Sequence, residues 1–458
     1  MHKQTINKFL YSYLFICITI IGSIVIFSNV SVVSKQALCV LTFIVNGMII
    51  LFQLSKSSLL GYSLKDIVFL FLFIFMFISP LIQYVENVFP WGDTYLITDE
   101  KIIYANLIIM MFMLIYISVY KRLFNRKLNN KELNNREVRN IKVVINIFFI
   151  ATVLCSIYII SKTGISNLFA RSTNLLKVES SSFELIVSKT FRAVPVIYVA
   201  MNLLFLIKNK YIYRKIQFIP GMILAIIINF PTATARFWMA GVYLGILIIL
   251  KRKINNSHLF KIIIFMGVLV IFPAINSFRN NTFQEVFSQG INIPKAADAF
   301  LIGDFDSYSM LVRSIIYVDF NGVTLGNQLL GNLLFFIPRS LWAKKPIGSG
   351  AMIGESLGWN FTNVSCPYIG EGYINFGILG VLIFACILAI ITKYGDKFYE
   401  NIFTADNNNI TFIEIVYPFS VGFLFFILRG DLLSSLSYYI GFMMPILLLW
   451  GIQKILRS

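Results

Sequence analysis

The chain has 458 residues, 58% hydrophobic and only 13% charged, with a mean hydropathy of +0.78 and a formal net charge of +18. Soluble domains carry roughly 25% charged residues, so a cytosolic enzyme of about three domains is excluded and a chain embedded in lipid is indicated. Five cysteines, Cys17, Cys39, Cys155, Cys366 and Cys386, show no metal or redox spacing, which argues against a disulfide framework.

Apolar runs of spanning character fall at 10–27, 38–54, 67–82, 102–120, 143–160 and 194–207. They continue at 216–229, 237–250, 259–272, 373–391, 412–428 and 432–450. About twelve spans of roughly 20 residues account for half the chain. Each is expected to be helical, because lipid offers no partner for a free backbone N–H or C=O. The first run lacks a small-residue cleavage pattern and is long enough to span, so no cleavable signal peptide is expected. The sequence therefore predicts an all-α, polytopic integral membrane protein of about twelve transmembrane helices with one large late loop. Residues 1–277 hold spans one to nine, 278–372 the loop with amphipathic or re-entrant helices, and 373–458 the last three spans.

Basic residues orient the bundle. Lys121, Arg122, Arg126, Lys127, Lys131, Arg136, Arg139 and Lys142 crowd one loop, and Lys208, Lys210, Arg214, Lys215, Lys251, Arg252, Lys253 and Lys261 lie in the next loops of the same side. With twelve spans about 24 of the 39 Lys and Arg share that side with both termini, which makes it cytoplasmic and the large loop external. The positive charge then reports topology and anionic-lipid contact, and nucleic-acid binding is not expected.

The external side holds the informative residues. Arg171, Arg192, Arg236, Arg279, Arg313, Arg339 and Arg429 run against the topology bias. Snorkelling at span ends accounts for some of them. Arg236 in NFPTATARFWMAG and Arg429 in ILRGDLL are pinned in tight turns at the membrane surface, where an arginine needs an anionic partner. Asp431 is one candidate partner for Arg429. Arginine grips phosphate with a planar fork of donors, so several at one leaflet suggest a lipid diphosphate. Asp306 and Arg313 are seven apart, and a helix over 296–317 would put them on one face. Asp304 and Asp306 form a D-x-D. The run 329–337, closed by Pro338, is too short to span, and Trp342 suits an interfacial anchor. Lys344 and Lys345 open a flexible loop with Gly348 and Gly350. Glu371 and Tyr373 mark the entry of the next span, where Gly377 and Gly380 are expected to serve close helix packing. Glu414 lies near the inner end of its span.

The segments FDSYSMLVRSIIYV, G-x-x-x-G-N at Gly322 to Asn327, IPRSLWAKKPIGSGAMIGESLG and GEGYINFGILG together resemble the bacterial O-antigen and capsule repeat-unit polymerases. Arg339 with Gly350, and Arg279 with Gly290, also fit an Arg-x10-Gly pattern of outer loops in that family. The resemblance implies a GT-C-like glycosyltransferase architecture in the bacterial inner membrane, with the main loop periplasmic. It implies transfer between undecaprenyl-diphosphate-linked oligosaccharides, with inversion, without metal or other cofactor, beside a chain-length regulator. On that reading Arg236, Arg279, Arg313, Arg339 and Arg429, assisted by Lys344 and Lys345, hold the diphosphate whose charge grows in the transition state. The base that takes the acceptor proton is Asp304, Asp306 or Glu371. An O-antigen ligase is expected to use an outer-loop histidine, but His2 and His258 are both expected to be cytoplasmic. A lipid-linked oligosaccharide flippase should show paired halves and mid-span polar groups. A structural or sensory membrane protein is the third rival.

Overall fold

The computed structural model describes residues 34–123, 137–169, 182–254, 256–271, 274, 296–405 and 409–455. Among these the secondary structure is helical, apart from one isolated bridge between Glu137 and Thr411. In chain order the helices are α1 Ser34–Leu54, α2 Leu64–Val85, α3 Asp99–Arg122, α4 Ile141–Thr163, α5 Ser182–Asn209, α6 Lys215–Ile228, α7 Arg236–Lys251 and α8 Ser257–Ile271. After these come α9 Ser307–Asn321, α10 Asn327–Leu333, α11 Ser349–Ser356, α12 Tyr368–Thr404, α13 Phe412–Arg429 and α14 Leu432–Ile455.

Eight helices are long and apolar enough to cross a membrane: α1 to α5 and α12 to α14. They coincide with eight of the twelve predicted runs. The first predicted run lies outside the described residues. The seventh to ninth fall on α6, α7 and α8, which are helical but short. The 16 residues of α7 reach about 24 Å, against a hydrocarbon core of about 30 Å. The long helices also display lipid-facing stripes. Ile147, Ile150, Leu154 and Ile157 of α4 recur at helical spacing and are all exposed.

Successive helices alternate in direction, and contacts at the two ends of the bundle show it. At one end the buried Glu414, in the first turn of α13, takes Lys208 of α5 at 2.8 Å and Arg252 beyond α7 at 2.9 Å. There too Lys261 of α8 meets Asp66 of α2 at 3.2 Å. Asp396 of α12 accepts from the Leu64 amide and from the Tyr120 and Tyr417 hydroxyls. Glu414 is thus an ion-paired anchor. At the other end Lys35 meets Glu100, Lys101 meets Asp319, and Gln83 of α2 donates to the carbonyls of Phe300 and Phe305.

Helix α13 is the axle. Tyr417, Val421, Leu424 and Leu428 face the apolar cluster of α1, α2, α3, α9 and α12. On its opposite face Phe412, Ile415, Phe419 and Phe423 join the cluster of α4 to α7 and α14. A helix buried on both faces must sit at the centre. Its last residue, Arg429, is therefore delivered to the middle of one end of the bundle.

Two expectations for the loop region change. No single helix covers 296–317. A four-residue turn of helix at Ala296–Ala299 and a 3-10 turn at Gly303–Phe305 precede α9. The carbonyls of Phe300, Gly303, Asp304 and Phe305, which a continuous helix would use internally, accept from Gln83 and Arg429 instead. Gly380 does serve close packing, but Gly377 serves a kink. Its φ of +61° lies in the region that side chains disfavour, and with Phe376 it breaks the regular course of α12. The pre-kink turn then folds against the next one, so that a Cβ on Gly380 would lie 1.8 Å from the Gly372 carbonyl oxygen. Gly380→Ala is expected to lower the unfolding temperature in detergent, at a cost of about 1–3 kcal/mol. Gly451→Ala, whose Cβ would meet nothing within 4 Å, is the unchanged control.

Candidate functional site

At the end of the bundle where α13 finishes, the starts of α7 and α14, the 91–93 turn and the segments at 302–306 and 363–365 enclose a cleft of about 420 Å³. Arg236 and Arg429 enter it from the facing ends of α7 and α13. Arg236 grips Asp304 in a two-point fork, Nη1 to Oδ2 at 2.5 Å and Nη2 to Oδ1 at 2.6 Å. Arg429 donates through Nη2 to Asp306 Oδ1 at 2.9 Å and to the carbonyls of Gly303 and Asp304. Its guanidinium lies 5.3 Å from the centre of the Phe237 ring. Asp306 is buried and also accepts from Trp91 Nε1 at 2.8 Å, Ser365 Oγ at 2.7 Å and the Ser365 amide. With that many donors around it, the lone pairs of the Asp306 carboxylate are already engaged.

Asp431 lines the same cleft under different conditions. Its Oδ1 accepts the Ser434 amide at 3.0 Å and its Oδ2 the Gly350 amide at 3.2 Å. Among the described residues no basic side chain pairs with it, and Arg429 has taken Asp306 in its place. Burial pushes the Asp431 carboxyl above the usual carboxylate range. Two arginines therefore face three aspartates, and the cleft has no excess of positive charge.

Glu371 stands behind this wall. Fully buried, it accepts from Ser349 Oγ at 2.7 Å and Asn332 Nδ2 with one oxygen, and from the Leu432 amide at 3.0 Å with the other. It ties α10, α11 and α14 together and does not line the cleft.

The remaining sequence candidates lie apart. Arg313 is buried in α9, donates to the Gly92 carbonyl and stacks 5.1 Å from the Trp359 ring. Burial lowers its pKa to about 10. It braces the turn that carries Trp91, and it has no ion pair with Asp306 because that carboxylate points to Arg429. Arg339 is exposed and donates to the Lys345 carbonyl at 2.8 Å. Lys344 is exposed in the same loop, one residue from Lys345. Lys345 is buried, with its ammonium on the carbonyls of Phe335 and Ile337 at 2.6 and 2.9 Å. Arg279 lies outside the described residues.

The cleft also contains residues that sequence reasoning passed over: Trp91, Ser365, Tyr438 and, as an unpaired acid, Asp431. Trp91 carried a signal, since it sits in a Pro-Trp-Gly-Asp turn between two spans. Ser365 and Tyr438 carried none. Compared with known protein families, with curated proteins and with solved structures, the chain finds no match.

Proposed function

We propose that this protein is a membrane glycosyltransferase that joins lipid-diphosphate-linked oligosaccharide repeat units into a surface polysaccharide. The positive-inside bias makes the basic end of the bundle cytoplasmic and puts the cleft on the external face. The observation that carries the reading is Asp431. It is an unpaired carboxylate with raised proton affinity, in a cleft walled by Trp91, Phe237 and Tyr438 beside two arginine–aspartate pairs. Aromatic walls and carboxylates suit a sugar, which offers apolar ring faces and hydroxyl donors.

In the proposed reaction the acceptor hydroxyl attacks the anomeric carbon of the donor glycan. Its proton passes to Asp431, and the bond from that carbon to the diphosphate oxygen breaks with its electron pair on the leaving group. A base whose pKa has moved toward working pH is the efficient one. The fork of Arg236 holds Asp304 in place to orient sugar hydroxyls.

Deleting the gene is expected to leave a single repeat unit on the acceptor in place of a ladder on a gel, with the ladder restored by the intact gene and not by Arg236→Ala. Complete absence of repeat units would instead indicate a flippase or ligase, and an unchanged ladder would remove the protein from glycan assembly.

A further inference from the structure

A second, smaller cavity of about 190 Å³ adjoins the cleft, sharing Ser434 and Tyr438 with it. Its charged groups are Lys189 and Lys345, and among the described residues no carboxylate pairs with either. Lys189, near the start of α5, lies 4.0 Å from the Tyr438 ring centre and 5.5 Å from that of Trp238. Close packing at Gly441 of α14, where a Cβ would come within 3.0 Å of Lys189 Cβ, sets its position. Lys345 is held from below by two carbonyls, and burial together with neighbouring Arg339 lowers its proton affinity. Two lysines thus line a cavity that no carboxylate among the described residues lines, so an anion entering it would meet positive charge and no competing acid.

The other side of the same turn is apolar. Phe335 faces the lysine cavity, while Leu334, Phe336, Ile337, Leu341 and Trp342 line an open groove of about 660 Å³. Phe336 and Leu341 are exposed there, 56% and 82% respectively, more apolar surface than a soluble loop leaves uncovered. The polar cleft and the lysine cavity thus adjoin through Ser434 and Tyr438, and the chain neighbours of Phe335, which lines that cavity, line the apolar groove.

We infer that the Lys189–Lys345 cavity binds the diphosphate of a polyprenyl diphosphate whose chain lies in the Leu334–Trp342 groove. This rests on the proposed glycosyl transfer and separates its parts. The head group sits on the lysines, and the anomeric carbon is directed into the Asp431 cleft, whose own arginines are already paired. The acid-free cavity is the better phosphate site, because in the cleft a phosphate would face three aspartates.

The test is calorimetry on the full chain in detergent micelles, with farnesyl diphosphate, inorganic diphosphate and farnesol as separate probes. Farnesyl diphosphate should bind at least about tenfold more tightly than either fragment, and Lys189→Gln should weaken it by about tenfold or more. Leu341→Asp should weaken farnesyl diphosphate and leave inorganic diphosphate unchanged. Lys345 variants are less informative, because its ammonium also holds the loop. Unaltered farnesyl diphosphate binding by Lys189→Gln, or a loss with Arg236→Ala alone, would overturn the assignment while leaving glycosyl transfer standing. Equal affinity for inorganic and farnesyl diphosphate would overturn it in favour of a free-phosphate site. Failure of the unmodified protein to bind farnesyl diphosphate would bring down both readings.

Discussion

Asp431→Asn is expected to abolish the polymer ladder while the protein still accumulates in the membrane. Removing a general base costs about 10²–10⁴-fold in rate. The amide keeps the size of the side chain and can still accept one of the two backbone N–H groups that Asp431 now receives. The pH dependence follows from the raised pKa of the carboxyl. Only the deprotonated form accepts a proton, so the rate of the unmodified protein should fall as pH drops through that raised value. The residual rate of the variant should be flat over the same interval. Stability runs the opposite way. The folded protein holds this proton more tightly than the unfolded chain does, so the carboxyl's contribution is present at low pH and is lost as pH rises through its folded pKa. The variant should therefore gain stability relative to the unmodified protein toward high pH, which thermal melts across a pH series will read. A full ladder from Asp431→Asn would move the base elsewhere, with Asp304 the next carboxylate in the cleft.

The largest loss of stability is expected from Arg429→Ala. Its partner Asp306 has a side chain only 1% exposed, against 18% for Asp304 in the other pair. Removing one partner of a buried ion pair leaves an uncompensated charge and costs about 3–5 kcal/mol. The carbonyls of Gly303 and Asp304 lose their donor at the same time. Arg236→Ala, in the more exposed pair, should cost clearly less, because solvent screens the charge left behind. Melting temperatures in detergent compare the two directly. The double variant Asp306→Asn with Arg429→Gln should recover much of the loss, since neither charge of the pair is then left buried without its partner. Equal melting temperatures for Arg429→Ala and the unmodified protein would mean that Asp306 is not held in the way described.

How far the sequence could be read depended on the range of the interaction concerned. The eight long helices were visible because lipid solubility is written residue by residue in apolar runs. Arg236 and Arg429 stood out because each lies in a short polar turn between apolar segments. Asp304 and Asp306 were visible as acids in the late loop, but their separate partners were not. A spacing of seven suggested Asp306 with Arg313, whereas Asp306 meets Arg429, 123 positions away. Lys189 carried no signal along the chain, lying five residues before the predicted run 194–207. Its cavity is made by Phe335 and Lys345 from the loop and by Ser434 and Tyr438 from α14.

By itself the sequence determined that this is a helical membrane protein with one basic end and a polar late loop, because composition and charge act locally and along the chain. Only the tertiary structure decided which acids keep their charge paired. That assignment depends on which side chains the start of α7 and the end of the central helix α13 bring within 3 Å of the 304–306 segment, and no spacing along the chain encodes such distances. Among the described residues the same packing left Asp431 without a cation and Lys189 and Lys345 without an acid, and these charges are where the chemistry of the molecule is now to be tested.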